Sequence, residues 1–456
     1  MRTIRYARLL LCFVMCFVAL FLFFCAKQKE LTKPADQPTV IPATPVRPVT
    51  PPPVVQPVQP VKKSAEQIHQ EAITLDTHVD IGSNMDSPRS DPGSDSCRNK
   101  CTLPKMEKGG LDGVFMAVYT TQGRLDSAGF ENAYNQAMAK FNAVHKLTEQ
   151  MHPERCTLAL TPDDVRRIEK TGKRAIIIGV ENGYPLKMDI TNVKKFYDLG
   201  AQYITLCHSG DNQICTSSGS RVPDSLRTGI TDFGKQVVAE MNRLGIMVDV
   251  SHISKQSFWD AIKYSKAPII ASHSGCMGIQ VSDRNLDDDQ LRALAQNGGV
   301  IQIVALAGYL HSNETPEHQK AIQDLQKNLN FRPLSRTEVT ALSQEDQTKY
   351  NAQFAEYRTK QASIDSLYPR YVVSLKDYVD HIDYAVKIAG IDHVGVGTDF
   401  DGGGGIPGFN DHSDCLNVTK ELVNRGYSEQ DIKKIWGENL LRVWSEVENV
   451  AKQLQK

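Results

Sequence analysis

The sequence predicts a (β/α)8 TIM-like barrel with a helical insertion, preceded by an N-terminal anchor or signal and a proline-rich linker. Three observations predict it. Eight short apolar runs recur along residues 64–456, helix-like segments separate them, and nearly every imidazole or carboxylate with chemical promise stands where a run ends. Strands alternating with helices pair in parallel, and strands apolar throughout are covered on both faces. Eight such units match a barrel of about 250 residues plus insertions, with its site at the C-terminal ends of the strands. A doubly wound open sheet would also accommodate eight parallel strands.

In chain order, Arg2, Arg5 and Arg8 come first, ahead of an apolar run from Leu9 to Ala26. Residues 1–26 therefore have the layout of a signal peptide or membrane anchor. The run is just long enough to span a bilayer, and the arginines favour an N-terminus kept in the cytoplasm. Lys27, Lys29 and Lys33 weaken that bias. Cys25 stands where a bacterial lipoprotein carries its lipid, although Phe23 and Phe24 replace the small residues such a cleavage site favours, so anchor and lipoprotein both stay open. Residues 27–63 are dominated from Pro34 onward by Pro, Val, Thr and Gln, a composition that forms an extended stalk rather than a core. The body is accordingly expected to be exported to the cell envelope, periplasmic or on the surface, touching membrane through the N-terminal segment only.

The body, residues 64–456, opens with AITLDTHVD, which ends in His78 and Asp80. GVFMAVYTT follows, then RAIIIGVENG with Glu181, AQYITLCHSG with His208, GIMVDVSHIS with His252 and PIIASHSG with His273. GVIQIVAL precedes the polar stretch His311–Arg370, which reads as a helical insertion, and HVGVGTDFDG delivers Asp399. Helix-like segments between these runs include Glu131–Gln150, Asp232–Leu244, Asp287–Gln296 and Leu375–Ala389.

Composition excludes several functions. Lys+Arg number 52 and Asp+Glu 53, so the net charge of -1 gives no reason to expect nucleic acid. A mean hydropathy of -0.35 excludes a polytopic membrane protein. Seven cysteines lie in the body, an odd set that cannot pair completely. Cys97 and Cys101 share a polar loop compatible with a local bridge, but no pair of CxxC units indicates an all-cysteine metal site.

Side chains two apart on a strand share a face, so His78 and Asp80 can grip one ion. His252 and His273 come from separate strands, and Glu181 can be shared. Such a nitrogen and oxygen set suits a borderline-soft divalent ion such as zinc, and a water between two such ions titrates near neutral pH. A carboxylate such as Asp399 can carry its proton to a leaving amine. These parts make a hydrolase. Taken singly, each has a bland alternative: a structural histidine, a turn at 399–402, or a surface salt bridge from Arg284 to Asp287 or Asp288.

DTHVD, GVENG, LCHSGDN, VDVSHIS, IIASHS, DRN and VGVGTDFDG, in that order from about Ile73 to Trp444, resemble the membrane dipeptidase (renal dipeptidase) family of binuclear zinc peptidases. The resemblance implies that His78 and Asp80 hold one Zn2+, His252 and His273 the other, and Glu181 both. It implies that His208 polarises the scissile carbonyl, Arg284 contacts the substrate carboxylate, and Asp399 is the acid/base. The expected activity is zinc-dependent hydrolysis of dipeptides, including those with a C-terminal D-residue, by a metal-bridging hydroxide, in a possible homodimer. The loop at 83–106 and the insertion at 311–370 match no site element of the family. Mammalian members carry a C-terminal lipid anchor, whereas the N-terminal segment here suggests a bacterial envelope protein.

Two other functions compete. A phosphotriesterase-like or lactone hydrolase would usually open with HxH and bridge its metals by a modified lysine, where this chain offers HxD and Glu181. A binding protein on a degenerate barrel would have lost ligands, and every required position is filled.

Overall fold

The computed structural model describes residues 63–334, 338–339 and 342–456. The expected leader at 1–26 and the linker up to residue 62 lie outside the described residues. Among the described residues, no helix is long and apolar enough to cross a membrane.

All eight expected runs contain a strand. They are β1 (Leu75–Asp80), β2 (Gly113–Tyr119), β4 (Arg174–Glu181), β5 (Ala201–Thr205), β6 (Met247–Asp249), β7 (Ile269–Ser274), β8 (Val300–Ile303) and β9 (Val394–Val396). A short β3 (Cys156–Leu158) is additional; it pairs with Arg174–Ile176 of β4, ahead of Ile178, where β5 begins to pair. Three residues of mixed polarity give no apolar run, which is why the sequence does not announce β3.

The eight strands hydrogen-bond in parallel in chain order from β1 to β9, as consecutive β/α units dictate. The ends of this sheet meet. Asp399 N–H donates to His78 O (3.0 Å) and Asp80 N–H to Phe400 O (2.9 Å), so the sheet curls into a nearly closed barrel rather than an open one. Three of the seam residues, His78, Asp80 and Asp399, are candidate site residues, so closing the barrel also assembles the site.

Alternation sorts the strand side chains. Leu75, Phe115, Ile177, Tyr203, Met247, Ile270 and Val300 form one buried cluster, against which the C-terminal helix Asn439–Leu454 packs Leu440, Trp444 and Val447. Ile176, Ile178 and Val180 belong to a larger cluster shared with the outer helices. Between Leu310 and Arg370 the described residues include the helices Pro316–Asn328 and Gln344–Leu367, with a small core of Leu325, Phe331 and Tyr357. The seven body cysteines are all free thiols, Cys97 and Cys101 included.

Candidate metal centre

The ends of β1, β4, β5, β6, β7 and β9 deliver residues to one point at the C-terminal mouth of the barrel. Glu181, the last residue of β4, is 3% exposed and lies at the middle. Its Oε2 faces Nε2 of His78 at 3.3 Å. Its Oε1 faces Nε2 of His252 at 3.1 Å, of His273 at 3.6 Å and of His208 at 3.6 Å. The Nε2 atoms of His252 and His273 converge to 2.8 Å. Asp399 Oδ1 stands 4.0 Å from His78 Nε2. Three groups of donors therefore lie close enough to hold an ion: His78 with Glu181 and His273, Glu181 with His208 and His252, and His78 with Asp80 and Asp399.

The local backbone is bent to reach this arrangement. Non-glycine residues seldom adopt positive φ, and such conformations persist where the surroundings enforce them. Asn182 (φ 79°), His252 (70°), Asp399 (59°) and Asp401 (65°) all do so here. Gly402 shows why a side chain is unwelcome beside them, since a Cβ there would overlap Asp80 Oδ2 and Asp399 Oδ1.

Charges in this buried space compete. Burial pulls the His78 imidazole down, but Glu181, Asp399 and Asp80 outweigh burial and push its pKa up to about 9. Burial, then the charge of Glu181, raises Asp80 to about 6. Burial resists ionisation of Glu181, yet the His78 and His252 rings hold it well below the usual range. Asp399 is lifted to about 7 by burial, with Glu181 and Asp80 adding to it against the pull of His78. Burial lowers His252, His273 and His208. Carboxylates and imidazoles crowded this closely are the arrangement a cation relieves.

Two buried atoms inside the cluster, His78 Nε2 and Asp80 Oδ1, have no hydrogen-bond partner. An unpartnered imidazole nitrogen and carboxylate oxygen aimed at one another's neighbours fit a divalent ion held by N and O donors. His208 differs from the other imidazoles in that 22% of its side chain stays exposed, so it faces the open side.

Arg284 lies at the edge. Its Nη2 donates to His273 O at 3.1 Å, its Nε is buried without a partner, and its guanidinium lies 5.3 Å from the Tyr309 ring. It makes no salt bridge with Asp287 or Asp288: Asp287 pairs with Lys255, and Asp288 with Arg292. Asp287 also caps the following helix Asp288–Gln296 through a capping box with Gln290, which fixes the loop carrying Arg284.

The residues that orient these ligands are ones the sequence reading did not single out. Tyr203 Oη is 2.8 Å from His78 Nδ1 and Ser272 Oγ 2.8 Å from His273 Nδ1. Asp249 accepts from Ser272 N–H and Oγ–H. Asp76 accepts from His78 N–H, Thr398 N–H and His412 Nε2. Asp76, two residues before His78, and Ser272, next to His273, are legible with hindsight; Tyr203, on β5, becomes visible only once the barrel brings it to His78 on β1.

The sequence profile described as membrane dipeptidase (peptidase family M19) matches residues 62–456. An uncharacterised dipeptidase of Schizosaccharomyces pombe is 31% identical over 296 residues, which is 64% of this chain and 58% of that protein. The chain thus spans little more than half the length of that relative. The probable dipeptidase PvdM of Pseudomonas aeruginosa has a similar structure, at TM-score 0.73 and 30% identity over 85% of this chain and 98% of its own. A metallopeptidase of Rhodobacter sphaeroides, solved with a phosphinate mimic of the dipeptide L-Ala-D-Ala, shares the fold at TM-score 0.62 and 21% identity over 83% and 100%. By the profile match over most of its length, the chain belongs to the membrane dipeptidase family, peptidase family M19.

Proposed function

We propose that this protein is a binuclear zinc dipeptidase that hydrolyses dipeptides, including those with a C-terminal D-residue, to free amino acids. One observation carries the reading: the two oxygens of the buried Glu181 face different imidazoles, His78 on one side and His252 with His273 on the other. A carboxylate so placed would serve two ions at once, one through each oxygen. His78 and Asp80 would hold one Zn2+, His252 and His273 the second, with Glu181 on both. Bound zinc would supply Lewis-acid polarisation of the carbonyl and a nucleophile acidified to near neutral pH.

The remaining steps belong to side chains. Arg284, with unused guanidinium donors, binds the substrate carboxylate. His208, the most exposed imidazole of the group, donates to the carbonyl oxygen as negative charge builds there. Asp399 takes the proton of the attacking water at Oδ1 and delivers it to the leaving amine. Support for a D-residue comes from the L-Ala-D-Ala mimic bound to the Rhodobacter sphaeroides metallopeptidase.

The leader and stalk support an exported envelope protein, held to the membrane through its N-terminal segment by anchor or lipid. The partners we infer are small dipeptides and a second copy of the chain, with no nucleic acid. The test is hydrolysis of Gly-D-Ala and L-Ala-L-Ala by zinc-loaded and chelator-treated protein. Cleavage that follows zinc supports the reading; no cleavage of any dipeptide by zinc-loaded protein refutes it.

A further inference from the structure

We propose that the cavity beside His78 and Asp80 receives the side chain of the dipeptide's N-terminal residue, and that Lys140 makes this cavity select an acidic side chain. The inference rests on the dipeptidase reading above. Three cavities border the cluster. One, about 230 Å³, is lined by His252, Arg284 and Asp287. A second, about 510 Å³, is lined by Tyr119, His208 and Arg221 among others. The third, about 500 Å³, is lined by Asp80, Tyr119, Lys140, Asp401 and Gly402 among others. With the substrate carboxylate on Arg284 and the carbonyl oxygen on His208, the cavity beside Asp80 is left for the side chain of the N-terminal residue. Its volume is ample for a glutamyl side chain.

The charges lining that cavity are unequally engaged. Asp401 is consumed by backbone, its two oxygens accepting from Lys100 N–H (2.8 Å) and Cys101 N–H (3.0 Å). Asp80 is a proposed metal ligand. Among the described residues Lys140, on the helix Ser127–Lys146, makes no hydrogen bond or salt bridge; its Nζ lies over the Tyr119 ring at 5.3 Å. It is half-buried, and burial lowers its pKa against the opposing pull of Asp80 and Glu181. An ammonium with three unused donors at a pocket wall is a receptor for a carboxylate.

Filling the site sharpens the argument. Without metal, Lys140 has Asp80 and Glu181 as counter-charges. With two divalent ions bound, Asp80 and Glu181 would be engaged as their ligands and would no longer serve Lys140 as counter-charges. An acidic side chain arriving with the substrate would supply one. A merely structural lysine would be indifferent to what the substrate carries.

The experiment is steady-state kinetics of the full zinc-loaded chain on L-Glu-L-Ala, L-Gln-L-Ala and L-Lys-L-Ala, with Lys140→Met and Lys140→Glu alongside. The wild-type kcat/KM for L-Glu-L-Ala should exceed that for L-Gln-L-Ala by about tenfold, a common reach for one charged contact. Lys140→Met should collapse the ratio toward one, chiefly through KM, and Lys140→Glu should turn the preference toward L-Lys-L-Ala. Wild-type protein that cleaves L-Gln-L-Ala as well as L-Glu-L-Ala overturns the inference while sparing the dipeptidase reading. So does a ratio that neither substitution moves. Failure on all three substrates and on Gly-D-Ala overturns both. The wild-type comparison stands even if a variant does not fold.

Discussion

The hydroxyl of Tyr203 lies 2.8 Å from Nδ1 of His78, on the far side of the ring from Glu181. In the tautomer that can bind a metal, Nδ1–H donates to the Tyr203 oxygen and leaves the Nε2 lone pair facing Glu181. Tyr203 therefore fixes both the orientation and the tautomer of a proposed ligand from the interior of the barrel. Tyr203→Phe keeps the ring and loses the acceptor. Zinc affinity should fall by about tenfold or more, as is usual for the hydrogen-bond partners of metal ligands. Competition with a chromophoric chelator measures it, and unchanged affinity would remove this role.

Gly402 guards the space between two carboxylates. A Cβ at this position would overlap Asp80 Oδ2 and Asp399 Oδ1, so Gly402→Ala must displace one or both. We expect dipeptide hydrolysis to fall by about a hundredfold, the order of loss a displacement of about 1 Å produces. Circular dichroism should show an unchanged fold. Activity within a fewfold of wild type would mean that Asp399 is not where the chemistry occurs.

Asp76 ties the seam of the barrel. It is 1% exposed and accepts hydrogen bonds from His78 on β1, from Thr398 beyond β9 and from His412. Asp76→Ala strands those donors in a dry interior and should cost about 3 kcal/mol or more. Urea unfolding reads this directly; a loss below about 1 kcal/mol would show that the seam holds without it.

His381 makes stability depend on pH. Its Nδ1 accepts from Cys276 N–H (2.9 Å), its Nε2 donates to Leu310 O (2.8 Å), and burial lowers its pKa to about 4. Above the unfolded value of about 6.5 both states are neutral and pH has no effect through this group. Below it the unfolded chain takes a proton that the folded chain refuses, so stability is lost as pH falls from about 6.5 toward 4. At pH 5 the loss should be about 2 kcal/mol for His381 alone. Urea unfolding of wild type and His381→Asn at pH 7.5 and pH 5 tests it; equal pH dependence in both would contradict the assignment.

Legibility in the sequence followed periodicity. The apolar runs ending in His78, Glu181, His208, His252 and His273 were readable because a buried parallel strand must be apolar throughout, and a polar residue at its end has to be explained. The chain brings those residues together as the barrel pattern requires. Cys156–Leu158 escaped because three residues carry no period. Tyr203 and Lys140 escaped for another reason: each matters through a residue on a different element, and cross-element neighbours are set by the closed barrel rather than by local spacing. Asp249 was invisible in the same way, its carboxylate serving Ser272 on the adjacent strand.

The central claim is that Glu181 bridges two metal ions. Its most direct test is zinc content of the purified protein by mass spectrometry, for wild type and Glu181→Ala, with Gly-D-Ala hydrolysis measured on the same samples. The account predicts about two zinc ions per wild-type chain, fewer than about one in the variant, and activity lost with the metal. A wild-type chain that binds no zinc, or a variant that keeps both ions and its activity, would contradict it.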